Sequence, residues 1–142
     1  MKKALVISGG GSKGAFAGGV AQYLMEKENR DYDLLVGTST GSLMVSHLAL
    51  GMLKELKELY TNVNQDTIFS NNPFTIKKVA GEKVVSISHF NTLWNLILKR
   101  KTFGESKNLR SLIRNNITKE MYEKIRAANK EVVVTVSNLS AN

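Results

Sequence analysis

Leu34-Leu35-Val36-Gly37-Thr38-Ser39-Thr40-Gly41 is the stretch on which the reading of this chain turns. Three aliphatic residues lead into Gly-x-Ser-x-Gly, and a largely apolar run with helical character follows over residues 40–50. A serine on such a turn, between a buried strand and a helix, is held with its oxygen exposed, the arrangement known as a nucleophile elbow. Gly37 and Gly41 remove side chains that would collide in so tight a turn. The amide of Thr40, at the start of the helix, points to where a substrate carbonyl oxygen would gain charge. Ser39 is therefore the candidate nucleophile and the Thr40 N–H a candidate oxyanion donor.

A second turn lies upstream. Ala4-Leu5-Val6-Ile7-Ser8 is a short apolar strand, and Gly9-Gly10-Gly11-Ser12-Lys13-Gly14 follows it. A glycine-rich turn beside the elbow can offer backbone N–H groups to a developing oxyanion. Gly9, Gly11 and Gly14 also match G-x-G-x-x-G, a dinucleotide fingerprint completed by an acidic residue further on. Asp31 and Asp33 stand near that distance, but they precede the second strand, whereas a ribose-binding acid belongs at its far end. A Walker A loop needs Gly-Lys-Ser/Thr, and the order here is Ser12-Lys13-Gly14. Nucleotide binding through residues 9–14 stays open as an alternative, as does a merely tight strand–helix turn.

Working outward, apolar residues at helical spacing over 15–28 predict a helix between the two strands. Residues 32–36 form the second strand, so strand–helix–strand implies a right-handed parallel crossover. An amphipathic helix is expected over 53–60 and a loop over 62–73. A short helix with a basic end is expected over 91–101, and two more helices over 109–117 and 119–128. Thr118 is the expected N-cap of the last, with Glu120 and Lys124 as an i,i+4 pair. The β-branched run 132–136 reads as a third buried strand. Parallel strands joined by helices predict an α/β domain with three α/β/α layers, whose sites form at the C-terminal ends of the strands. Both glycine turns fall at that edge.

The chain has 142 residues, 42% of them apolar and 23% charged, which suits one globular domain spanning 1–142. It has no cysteine, which excludes disulfides and thiolate metal sites. The apolar run after Lys2 and Lys3 is too short for a secretory signal, and no stretch approaches a membrane span. A cytoplasmic protein is expected. The net charge of +8 is concentrated between Lys77 and Lys130, where thirteen Lys/Arg face four Asp/Glu. This is either a solvated helical surface or a patch for an anionic one. Trp94, followed by the aliphatics of 96–98 and by Lys99, Arg100 and Lys101, could contact a membrane periphery. A core helix whose basic end complements its dipole explains the same residues. Nucleic acid is not an expected partner.

The pair of motifs, residues 8–14 with residues 37–43, resembles the patatin-like phospholipase family, whose pattern is Gly-Gly-Gly-x-Arg/Lys-Gly followed downstream by Gly-x-Ser-x-Gly. The likeness extends more loosely to the strand 132–136 and Ser137-Asn138-Leu139. The resemblance implies an acyl-ester hydrolase of lipids that works without a metal or other cofactor through a Ser–Asp dyad. It implies Ser39 as nucleophile, the amides of Gly10 and Gly11 as oxyanion hole and Lys13 as the neighbouring basic residue, with Gly9, Gly14, Gly37 and Gly41 in support.

The family's aspartate lies in an Asp-Gly-Gly/Ala motif, and this sequence contains no Asp-Gly; its last aspartate is Asp66. His47 lies eight residues beyond Ser39, about 12 Å along a helix axis, and reads as a packed residue. His89 has no positional argument. The chain is therefore expected to be the N-terminal portion of a longer hydrolase and nearly silent as given. The reading from another class is a non-catalytic module that binds a lipid or a partner.

Overall fold

The computed structural model describes residues 2–70, 74–79, 81–87 and 106–138. These fall into two compact units, one of residues 1–62 with 116–142 and one of residues 63–115. The first holds both glycine turns.

Its frame is a parallel sheet of β1 (Ala4–Ile7), β2 (Leu34–Gly37) and β5 (Glu131–Val134), in the order β1-β2-β5. Ala4 is level with Leu34 and Ile7 with Gly37; Leu34 is level with Glu131 and Gly37 with Val134. All three strands therefore end together, at the edge where the turns begin. The helices of this unit are α1 (Gly14–Glu26), α2 (Thr40–Ala49), α3 (Leu53–Asn62) and α6 (Lys119–Ala127). At the start of α6, Thr118 is the N-cap, its Oγ1 accepting from the Met121 amide at 3.3 Å, and Glu120 pairs with Lys124 at 2.7 Å. Both are as expected.

Strand order follows chain order without reversal. Right-handed crossovers then all pass over one face of the sheet. Accordingly Ile7, Leu35, Ala21, Leu56 and Ile125 join one core around α2, where Met44, Val45 and Leu48 have no exposure. Alternation along the strands turns Val6, Val36 and Val133 to the other face. Val6 is 69% and Val133 46% exposed. The α/β class and the parallel sheet are those the sequence predicts; among the described residues the helices packed on the sheet occupy one face.

The second unit contains α4 (Gln65–Ile68), a hairpin of β3 (Phe74–Val79) and β4 (Glu82–Ile87), and most of α5 (Lys107–Asn116). A loop is expected over 62–73, yet α4 forms there because Asn64 and Thr67 cap one another. The Thr67 amide donates to Asn64 Oδ1 at 2.9 Å, and the Asn64 amide to Thr67 Oγ1 at 2.7 Å. The hairpin is unassigned in the sequence reading. Its signal is Gly81, which carries the turn at φ +87° between two β-rich runs. Phe69 packs edge-on against Phe74, with ring centroids 5.8 Å apart. The proposed membrane element with Trp94, Lys99, Arg100 and Lys101 lies outside the described residues, as does His89.

Candidate active site

The chain leaves β2 at Gly37 and enters α2 at Thr40, so only Thr38 and Ser39 make the turn. Ser39 has φ +53° and ψ −121°, a region that L-residues avoid and that costs about 1–3 kcal/mol. This conformation lifts the exposed Ser39 clear of the strand end. Close packing holds it there. A Cβ on Gly37 would lie 2.5 Å from the Gly41 carbonyl oxygen, and one on Gly41 only 2.3 Å from that of Ile7. Only glycine fits either place. The turn is further tied by Ser42 Oγ, which donates to the Gly37 carbonyl at 2.9 Å, and by the Thr38 amide, which donates to the Ile7 carbonyl at 3.0 Å.

The glycine turn lies alongside. The Cβ position of Gly9 is 2.8 Å from Ser39 Cβ and 3.4 Å from its Oγ. Gly11 has φ +56° and opens a single 3-10 turn, Gly11–Lys13, that feeds α1. Gly14 is buried, and its Cβ position is 3.0 Å from Thr40 Oγ1. The structure thus brings Gly9, Gly14, Gly37, Ser39, Thr40 and Gly41 together. Gly10 and Gly11 continue the same turn. Among the described residues the amides of Gly10, Gly11 and Thr40 donate no hydrogen bond. A third element reaches this edge at the end of β5. The Thr135 amide donates to the Gly37 carbonyl, and Thr135 Oγ1 donates to Thr38 Oγ1, both at 3.0 Å. Sequence reasoning missed Thr135; its only signal is its place just past a β-branched run, and that run forms a strand that is largely exposed rather than the buried one expected. Lys13 is exposed at the end of the 3-10 turn.

No side chain among the described residues hydrogen-bonds Ser39. Asp31 pairs with Lys130, and Asp33 accepts from the Lys3 amide at 2.7 Å, both at the N-terminal edge of the sheet. Lys130 holds the Asp31 carboxyl below its ordinary range. Neither aspartate can serve Ser39, nor the ribose of a nucleotide at the glycine turn. His47 is buried within α2, and burial drives its pKa down, opposed by the backbone of Leu43 and the charge of Glu55. Its Nδ1 is without a hydrogen-bond partner among the described residues. Tyr60 on α3 donates to the Thr40 carbonyl at 3.0 Å, and burial pushes its pKa up to about 12. No cluster of three or more potential metal ligands and no helix long and apolar enough to cross a membrane occur among the described residues.

The family model for patatin-like phospholipases matches residues 5–141. The chain belongs to that family, one of lipid acyl hydrolases. No curated protein and no solved structure matches it.

Proposed function

We propose that this chain carries the nucleophile and oxyanion half of a lipid acyl-hydrolase site. Ser39 Oγ attacks the carbonyl carbon of an acyl ester, and its proton passes to a base. The carbonyl oxygen takes up negative charge facing the amides of Gly10, Gly11 and Thr40, with Lys13 adding positive charge nearby. Collapse expels the alcohol and leaves an acyl group on Ser39, which water then removes. The observation that carries this reading is the positive φ of exposed Ser39 with Gly9 packed directly against it. A strained serine at a strand–helix turn, next to free backbone donors, is what acyl transfer requires.

The base is the missing part, since Ser39 has no carboxylate or imidazole partner among the described residues. In serine hydrolases stripped of a triad member, binding and the oxyanion hole still leave catalysis of about 10³–10⁴ over water. Ser39 is accordingly expected to react slowly but selectively. An alkyl fluorophosphonate should phosphonylate Ser39, with phosphorus–oxygen bond formation expelling fluoride, and peptide mass spectrometry locates the adduct. Loss of labelling in Ser39→Ala supports the assignment, and an adduct on another residue or none at all defeats it. Turnover of a p-nitrophenyl ester should stay near background; robust turnover abolished by Ser39→Ala would show that a base is already in place.

A further inference from the structure

Residues 63–115, the second unit, hold nine Lys/Arg against three Asp/Glu, and so carry six of the chain's eight surplus positive charges. Helix α5 gives this charge a face. At 3.6 residues per turn Lys107, Arg110 and Arg114 fall within about 60° of one another, over about 10 Å of helix. All three are exposed, and α5 contains no acidic residue. Leu109, Leu112 and Ile113 lie away from that face and are half-buried. Neither guanidinium, of Arg110 or of Arg114, has an ion-pair partner among the described residues.

The same unit also exposes hydrocarbon. Ile76 of β3 and Val85 of β4 are level in the hairpin and so share one of its faces, where they are 50% and 56% exposed. Phe74 stands two residues along on that face, and its ring meets Phe69. The Phe69 carbonyl in turn accepts from Asn108 Nδ2 at 3.2 Å, which joins the root of the hairpin to the first turn of α5. A solvated helical surface accounts for the arginines but not for an exposed cross-strand pair of aliphatics. Cations beside exposed aliphatics match a surface of phosphates over hydrocarbon. We propose that α5 and the hairpin dock this chain on an anionic lipid surface, Arg110 and Arg114 meeting headgroup phosphates and Ile76 and Val85 entering the boundary of the acyl layer. The docking needs no chemistry at Ser39 and stands apart from the nucleophile reading.

The full chain is sedimented with phosphatidylcholine vesicles, with and without phosphatidylglycerol, at low and high salt. It should bind only the anionic vesicles, and less as salt rises. Arg110→Gln with Arg114→Gln should weaken that binding about thirtyfold, each cation near the surface contributing its share. Lys54→Gln with Lys57→Gln makes the same change of net charge on exposed positions of α3 and should stay within about twofold of wild type. Ile76→Thr with Val85→Thr keeps β-branched residues in the hairpin and should weaken binding about tenfold. Thermal melts verify that each variant is folded, and Ser39→Ala should bind as wild type does. Polyuridylate provides the competing anion. No binding to anionic vesicles overturns the proposal, as does equal loss in the arginine and lysine pairs, or full binding by the threonine pair. Polyuridylate that displaces the vesicles and binds the threonine pair undiminished assigns the arginines to nucleic acid and overturns the lipid surface.

Discussion

Gly9 faces Ser39 so closely that a single methyl group on it would stand 2.8 Å from the serine Cβ. The two turns touch through the absence of a side chain. Gly9→Ala should therefore lower stability by roughly 2–3 kcal/mol, and Gly41→Ala by more, because its methyl meets the Ile7 backbone. Gly19→Ala should do the opposite and gain about 0.5–1 kcal/mol, its Cβ falling in open space within a helix. Thermal melts resolve the contrast at about 3 °C per kcal/mol for a chain of this size. Three similar shifts would contradict the packing described.

Strain at Ser39 gives a second expectation. Glycine adopts positive φ without penalty, so Ser39→Gly should stabilise the protein by about 1 kcal/mol while abolishing fluorophosphonate labelling. A destabilised variant would mean that the serine side chain supports the turn rather than bearing its strain.

His47 should make stability depend on pH. Burial sets its folded pKa below the unfolded value, so near and below about pH 6.5 the unfolded chain binds more protons. Stability is then full above about pH 6.5 and falls as pH drops through the window down to the folded pKa. The loss tied to Asp31, held low by Lys130, comes only at more acid pH. Urea midpoints at pH 5, 6 and 7.5 should show the slope in wild type and a reduced one in His47→Leu. The same slope in both proteins would remove His47 as its cause.

Tyr60 should ionise late. The chain has four tyrosines, and burial raises Tyr60 to about 12. Absorbance at alkaline pH should show a late tyrosine ionisation, and Tyr60→Phe should remove that late step. Losing the hydrogen bond to Thr40 should also cost about 1 kcal/mol.

Much of this was legible in the chain because local rules and the fold agree. The strands around Val6 and Val36, the helix after Gly14 and the cap at Thr118 follow from periodicity and capping chemistry. The elbow was legible for another reason: glycine at 37 and 41 is demanded by backbone contacts under 3 Å, which no other residue satisfies. What escaped was set by distance. Thr135 meets Thr38 across 97 residues, and no spacing rule announces that. The β-branched run predicts a strand over 132–136, yet β5 spans Glu131–Val134, and Thr135 turns to serve the elbow. Lysines at 77, 78 and 83 break the alternation on either side of Gly81, so only that glycine marks the hairpin in the sequence.

The unreversed strand order also bears on how this protein behaves in solution. Among the described residues β1 and β5 are both edge strands, and β5 is a valine run with Val133 half in water. Such a rim invites a neighbouring chain to add its own backbone, the first step toward fibrous self-association. The charges that could discourage it gather at one end, where Lys2 pairs with Glu131 and Lys130 with Asp31. Where β5 meets the elbow, Thr135 and Thr38 present hydroxyls to each other instead of an ion pair. The strand end that braces the nucleophile turn thus lacks the charge pairing that guards the other end.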